Sequence, residues 1–284
     1  MPGPDRKPLD DEIDVHGLTH VGKVRRNNQD QFLLATIHKR VNVWATSLPP
    51  EHQPGLGEQR LAGIMMVADG VGGLEGGEEA SATALDVAMQ YVTNSMDCYY
   101  RADSSEQHFI EELQAAAQRA HEAVLATRSA EGRRGGATTL TLYMGVWPWF
   151  YLLQVGDSRF YLYRQGLLTQ VSRDQTIAQE LVDEGVMSRT AAFRTPLSNV
   201  LSSAIGGDTA VPVVTRLQSE WQNVGLLCSD GLTKHVSDDR IAERLRTMTS
   251  AKQVAEQLLQ DALDGGGTDN ITIVVARTVP KEGR

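Results

Sequence analysis

Four apolar runs in this chain each meet an aspartate set in a turn. They are Met65-Met66-Val67-Ala68-Asp69-Gly70, Gln154-Val155-Gly156-Asp157-Ser158, Leu226-Leu227-Cys228-Ser229-Asp230-Gly231, and Gly267-Thr268-Asp269-Asn270 leading into Ile271-Thr272-Ile273-Val274-Val275. A short apolar run bounded by such a turn reads as a buried strand that carries a carboxylate to its rim. Four deliveries of this kind predict a carboxylate-rich cavity at one edge of a sheet. Isolated buried carboxylates are costly, so a cation is their natural partner. Oxygen-only ligands point to a hard divalent ion, Mg²⁺ or Mn²⁺, rather than to zinc.

The formal charge of −9 argues against nucleic acid as the main partner, because phosphate-backbone binding wants a basic face. The 284 residues, 41% of them hydrophobic, supply a sizeable core. The two cysteines, Cys98 and Cys228, show no pairing pattern and suit a reducing compartment. The polar start Met1 to Asp14 has no apolar leader, and no stretch approaches a membrane span, so the expectation is a soluble, cytoplasmic chain with no membrane partner.

Strands are expected at 15–20, 31–37 and 62–68, with a Pro- and Gly-rich loop from Ala45 to Arg60. Helices follow at 78–97 and 105–128, the second with Ser104 and Gln107 as a capping box. A strand meander then covers 138–146, a turn at Trp147-Pro148, 150–155, 160–164 and 167–171. A polar helical patch spans 176–194, strands lie at 211–217 and 224–229, and a short helix covers 238–247. The helix at 251–263 carries the stripe Ala251, Val254, Ala255, Leu258, Leu259 and Ala262, with Ser250 and Gln253 as a capping box and Gly265 as its stop. A last strand runs 271–277. This order is neither βαβ alternation nor all-β; it predicts an α+β protein with antiparallel sheets covered by helices. One domain over 15–278 is expected, with flexible tails at 1–14 and 279–284.

Six segments together resemble the PPM (PP2C-type) metal-dependent protein serine/threonine phosphatases, in their compact bacterial form. They are Arg25-Arg26-Asn27-Asn28-Gln29-Asp30, Val67-Ala68-Asp69-Gly70-Val71-Gly72-Gly73, Gly135-Gly136-Ala137-Thr138-Thr139, Val155-Gly156-Asp157-Ser158-Arg159, Ser229-Asp230-Gly231-Leu232 and Gly267-Thr268-Asp269-Asn270-Ile271-Thr272. Any one is weak, since Asp-Gly is a common turn; their order and spacing carry the resemblance, which runs from Gly17 to about Arg277.

The resemblance implies a four-layer α-β-β-α sandwich, with a two-metal site in the cleft at the edges of two antiparallel sheets. It assigns Asp69 as a bridge between two Mn²⁺ or Mg²⁺ ions, the Gly70 carbonyl as a ligand of one, and Asp230 and Asp269 as ligands of the other. Asp157 would hold nearby waters or a third ion. Arg25 would grip the substrate phosphate, as a bidentate guanidinium can and an ammonium cannot. Asp30 would orient the attacking water. Phosphorylated proteins are the implied substrates, and a monomer is the implied state. The chemistry suits these residue types, because phosphate monoesters hydrolyse very slowly unaided and a metal pair both acidifies water and offsets phosphoryl charge.

Three positions depart from the family pattern. Gln29 stands where many members carry Glu, Val71 where eukaryotic members carry a His proposed as general acid, and Ser203 where an Arg is common. Other phosphatase chemistries lack their signatures: neither cysteine begins Cys-x₅-Arg, and there is no Asp-x-Asp. Gly72 to Gly77 lacks the Gly-Lys-Ser/Thr end of a P-loop. His16 and His20 read as structural or surface residues rather than a metal clamp. The rival reading is a weakly active family member that binds phosphoproteins as a regulatory module; its expected signature, loss of core aspartates, is absent at Asp69, Asp230 and Asp269.

Overall fold

Along β3 (Gln59–Val71), Met65 and Val67 point one way while Ile64, Met66 and Ala68 point the other, and all five are buried. Successive strand side chains alternate faces, so a strand apolar at every position must be covered on both. The computed structural model meets that demand with four layers. It describes residues 6–40, 59–71, 76–95, 105–131 (side chains to 127), 136–192 and 194–281.

One sheet runs in the order β1 (Ile13–His20), β11 (Ile271–Thr278), β10 (Val224–Cys228), β7 (Arg159–Arg164), β8 (Leu167–Gln170). The other runs β2 (Asp30–Lys39), β3, β5 (Leu140–Val146), β6 (Trp149–Val155), β9 (Val213–Gln218), with the two-residue β4 (Ala137–Thr138) paired to the end of β3. Every pairing is antiparallel. Met65, Val67, Phe150, Leu152, Phe160, Leu227 and Val274 fill the space between the sheets. Helices α1 (Gly77–Asn94) and α2 (Glu106–Glu131) cover the β3 sheet through Ala84, Ala88, Leu113 and Ala117. On the other side, α6 (Asp238–Arg246) and α7 (Ala251–Asp264) cover the β10 sheet through Ile241, Val254, Ala255 and Leu258. The expected α-β-β-α sandwich is the observed one.

The elements follow the sequence expectations with informative differences. At α7, Ser250 Oγ accepts the Gln253 N–H at 3.1 Å, but Gln253 Oε1 accepts from the Thr249 N–H rather than from Ser250, so the reciprocal half of the box sits one residue back. At α2 the cap is Ser105, whose Oγ accepts the His108 N–H; Ser104 lies outside the described residues, as does most of the loop expected over 45–60. The polar patch at 176–194 resolves into two short helices, α3 (Ile177–Asp183) and α4 (Arg189–Ala192). A four-residue helix, α5 (Asp230–Thr233), appears where only a turn was expected.

Residues 6–12, expected as tail, are docked. Arg6 binds the buried Glu12 carboxylate, Trp221 Nε1 donates to the Arg6 carbonyl, and Arg60 bonds Asp10 and the Pro8 carbonyl. Val279 and Lys281 return to the same corner through the Glu12 carbonyl and Asp11 carboxylate. Among the described residues no helix is long and apolar enough to cross a membrane.

Candidate active site

The register brings the aspartates to one end of the sandwich. Asp30 opens β2 directly opposite Asp69 near the end of β3. Asp157 lies where the chain leaves β6 in one sheet for β7 in the other. Asp230 follows β10 and Asp269 precedes the antiparallel β11, so both lie at that same end. Five carboxylates from five separated segments therefore meet at one end of the space between the two sheets.

Close backbone packing flanks Asp69 and Asp230. The Asp69 N–H donates to Thr139 Oγ1 at 2.9 Å, while Thr138 Oγ1 and the Thr139 N–H donate to the Asp69 carbonyl. A Cβ on Gly70 would stand 2.4 Å from the Gly77 carbonyl oxygen, so only glycine lets the end of β3 pass that close to the start of α1. Gly231 is tighter still: a Cβ there would meet the Asn270 carbonyl at 1.8 Å. Asp30 ties the two sheets together. Its Oδ2 accepts from Ser229 Oγ and Thr272 Oγ1, both at 2.7 Å and both in the opposite sheet's segments, while its buried Oδ1 has no hydrogen-bond partner among the described residues.

Charge is out of balance within this group. Burial, and then the neighbouring Asp30, Asp230, Asp157 and Asp269, push the Asp69 carboxyl well above the usual carboxylate range. Burial pushes Asp157 up to about 8, helped by Asp230 and Asp174 and opposed by Lys234 and Arg159. Asp30 is pushed up to about 6 by burial, against its two hydroxyl bonds. Burial also raises Asp230, against the pull of Lys234. Asp269 alone is lowered, because its bonds to Arg25 and Lys234 outweigh the upward push of burial. Like charges packed this closely hold protons unless cations replace them.

Two side chains act as local cations. Lys234 Nζ stands 2.6 Å from Asp230 and 2.8 Å from Asp269. Arg25 places Nε 2.7 Å from Asp269 Oδ1 and Nη2 2.9 Å from Oδ2. Among the described residues no three acidic, histidine or cysteine groups converge as a finished metal cage; Lys234 and Arg25 lie among these carboxylates instead. An all-oxygen donor set, an orphaned buried carboxylate oxygen and an ammonium between two aspartates together fit a site for hard cations.

Arg25 lies in the 21–29 loop, which bends and turns rather than extends. Asn270 pins that loop: its Oδ1 accepts the Gln29 N–H, and its Nδ2 donates to the carbonyls of Val21 and Asn27. The roles of Lys234, Asn270 and the Thr138-Thr139 clamp are absent from the sequence reading. A helix assigned after Asp230 would have exposed Lys234 as its i+4 partner. Of the three departures, Val71 ends β3 opposite Ala137, the Gln29 carbonyl accepts from Gly70 N–H and Ser81 Oγ, and Ser203 Oγ accepts the Val211 N–H within its own loop. His20 Nδ1 accepts the Gly22 N–H, a structural use.

A four-layer sandwich with aspartates gathered at the sheet edges defines a class, and sequence comparison places the chain within it. Residues 56–265 match the family model described as protein phosphatase 2C, and the chain belongs to that family. It is 35% identical over 219 residues to the serine/threonine protein phosphatase PstP of Mycobacterium tuberculosis, a match covering 77% of this chain but 41% of that protein. It is 31% identical over 225 residues to the serine/threonine phosphatase stp of Listeria monocytogenes, covering 78% of this chain and 87% of the relative. Among solved structures it resembles the catalytic domain of the serine/threonine protein phosphatase PstP in complex with two manganese ions, at 30% identity and a TM-score of 0.72, over 94% of this chain and 99% of that one.

Proposed function

We propose that this chain is a divalent-metal-dependent protein serine/threonine phosphatase that hydrolyses phosphoserine and phosphothreonine monoesters on protein substrates. The observation that carries the reading is the gathering of Asp30, Asp69, Asp157, Asp230 and Asp269 at one end of the inter-sheet cleft, with Arg25 beside them. Family membership supports it, as do the manganese ions in the related PstP structure. Asp69 and the Gly70 carbonyl would hold one Mn²⁺ or Mg²⁺ ion, Asp69 being shared with a second held by Asp230 and Asp269; Asp157 would hold waters or a third ion. When bound, such ions supply an acidified water and offset charge on phosphoryl oxygens.

The chain's own residues then divide the remaining work. Arg25 binds the non-reacting phosphate oxygens. Its guanidinium is held by Asp269 here; with Asp269 holding a cation instead, it would be free to bind phosphate. Asp30, fixed by Ser229 and Thr272, has one oxygen without a hydrogen-bond partner among the described residues, with which it would orient the attacking water. The test is hydrolysis of p-nitrophenyl phosphate and phosphothreonine peptides by metal-stripped protein. Turnover is expected only with added metal, Mn²⁺ above Ca²⁺; full activity after exhaustive EDTA treatment would overturn the reading.

A further inference from the structure

Among the described residues, the inter-sheet layer is filled at the aspartate end and leaves a cavity at the other. The inward-facing residues of β3 run Val67, Met65, then Gly63; those of β10 run Leu227, then Gly225; β5 continues from Tyr143 to Gly145 and β11 from Val274 to Ala276. Gly63 and Gly145 are direct cross-strand partners, and a Cβ built on Gly63 meets nothing within 4 Å among the described residues. The open position at Gly63 borders a cavity of about 360 Å³, whereas the Tyr143 hydroxyl stands 3.0 Å from where a Cβ on Gly145 would sit and the Phe160 ring 3.1 Å from one on Gly225. Glycine inside a strand costs stability and contributes no packing. A well-filled core would place a side chain at Gly63, as it does at Met65 two residues further along β3.

The walls carry specific chemistry. Aromatic rings line the cavity, among them Tyr143, Trp147, Phe150 and Phe160. One donor stands out against them: Asn223 lines the cavity, and its buried Nδ2 has no hydrogen-bond partner among the described residues. An unsatisfied buried amide is expensive, and native structures retain few of them. The docked segment at Lys7 and Pro8 forms part of the rim.

We propose that this cavity is a binding site for a small, planar aromatic molecule with a single hydrogen-bond acceptor, its rings taking the volume beside Gly63 and its acceptor meeting Asn223 Nδ2. The volume lies in the range of small-molecule pockets, which pair apolar walls with a few placed polar groups. The site is at the opposite end of the sheets from Asp69, and the proposal does not rest on the phosphatase reading.

The probes are 2-acetylnaphthalene, which has one carbonyl acceptor, and 2-ethylnaphthalene, which has none, titrated calorimetrically into the full chain. Saturable one-to-one binding of the ketone is expected, about fivefold tighter than the hydrocarbon, the share of one neutral hydrogen bond. Asn223→Leu should erase that preference while keeping binding of the hydrocarbon. Gly63→Leu, which fills the space, should abolish binding of both; where it fails to fold, the Asn223→Leu comparison still decides. Absence of saturable binding to the wild type, or an unchanged preference for the ketone in Asn223→Leu, overturns the proposal.

Discussion

Arg25 shows how a single side chain can be legible in type and not in setting. Its guanidinium is half exposed and grips both oxygens of Asp269, so its pKa is raised first by that bond. Phosphate is a dianion in the ground state as well as the transition state, so a group holding its non-reacting oxygens supplies mostly uniform binding. Arg25→Ala is therefore expected to raise KM for a phosphothreonine peptide more than it lowers kcat, while the exposed Arg26→Ala changes little. Steady-state kinetics on both variants check this; a larger KM effect at Arg26 would show the phosphate grip to be assigned one residue out of place. Asp69, Asp157, Asp230 and Asp269 could be picked out in the sequence because each adjoins an apolar run at a turn, a local signal; Asp30 came only with the family resemblance. Lys234 could not, because its bridge between Asp230 and Asp269 depends on two segments that only the fold brings together.

At the scale of elements, the cleft depends on the 21–29 loop being tied to the turn before β11. Asn270 makes three bonds into that loop, and the Lys23 N–H donates to the Gly267 carbonyl beside it. Asn270→Ala leaves the Gln29 N–H and two carbonyls without this partner, so a loss of about 1–3 kcal/mol is expected. The same variant should raise KM through Arg25 and speed hydrogen exchange in the loop. Unchanged exchange at Gln29, measured by NMR, would show that the loop is held by other means. Long elements such as α7 were legible because a 14-residue helix repeats its apolar stripe several times. The four residues of α5 have no room for a period, and the docking of residues 6–12 rests on scattered long-range contacts, among them those to Trp221, Arg60 and Lys281, that no pattern announces.

At the scale of the whole molecule, two separate charge systems respond to conditions in different ways. Away from the cleft, Arg244 and Arg240 on α6 clamp Asp261 on α7, and the bonds from Arg244, then Arg240, hold its carboxyl down at about 2. A depressed folded value adds stability that is complete above the unfolded carboxylate value of about 3.9 and is lost as pH falls through the folded one. Asp261→Asn should thus be less stable than wild type by a constant margin near neutrality, a margin that closes as pH falls from about 4 towards 2. Urea unfolding across that range checks it, and a margin that persists undiminished at the acid end would refute it. At the cleft the imbalance runs the other way, with aspartates raised by burial and mutual repulsion, and cations are the expected remedy. The most direct measurement is a calorimetric titration of metal-stripped protein with Mn²⁺. The wild type is expected to bind two ions, Asp69→Asn to lose most of that affinity while staying folded, and Lys234→Met, with its competing ammonium removed, to bind more tightly. Wild-type protein that takes up no Mn²⁺, or an Asp69→Asn variant that binds it as well as the wild type, would contradict the metal-centred account of this cleft.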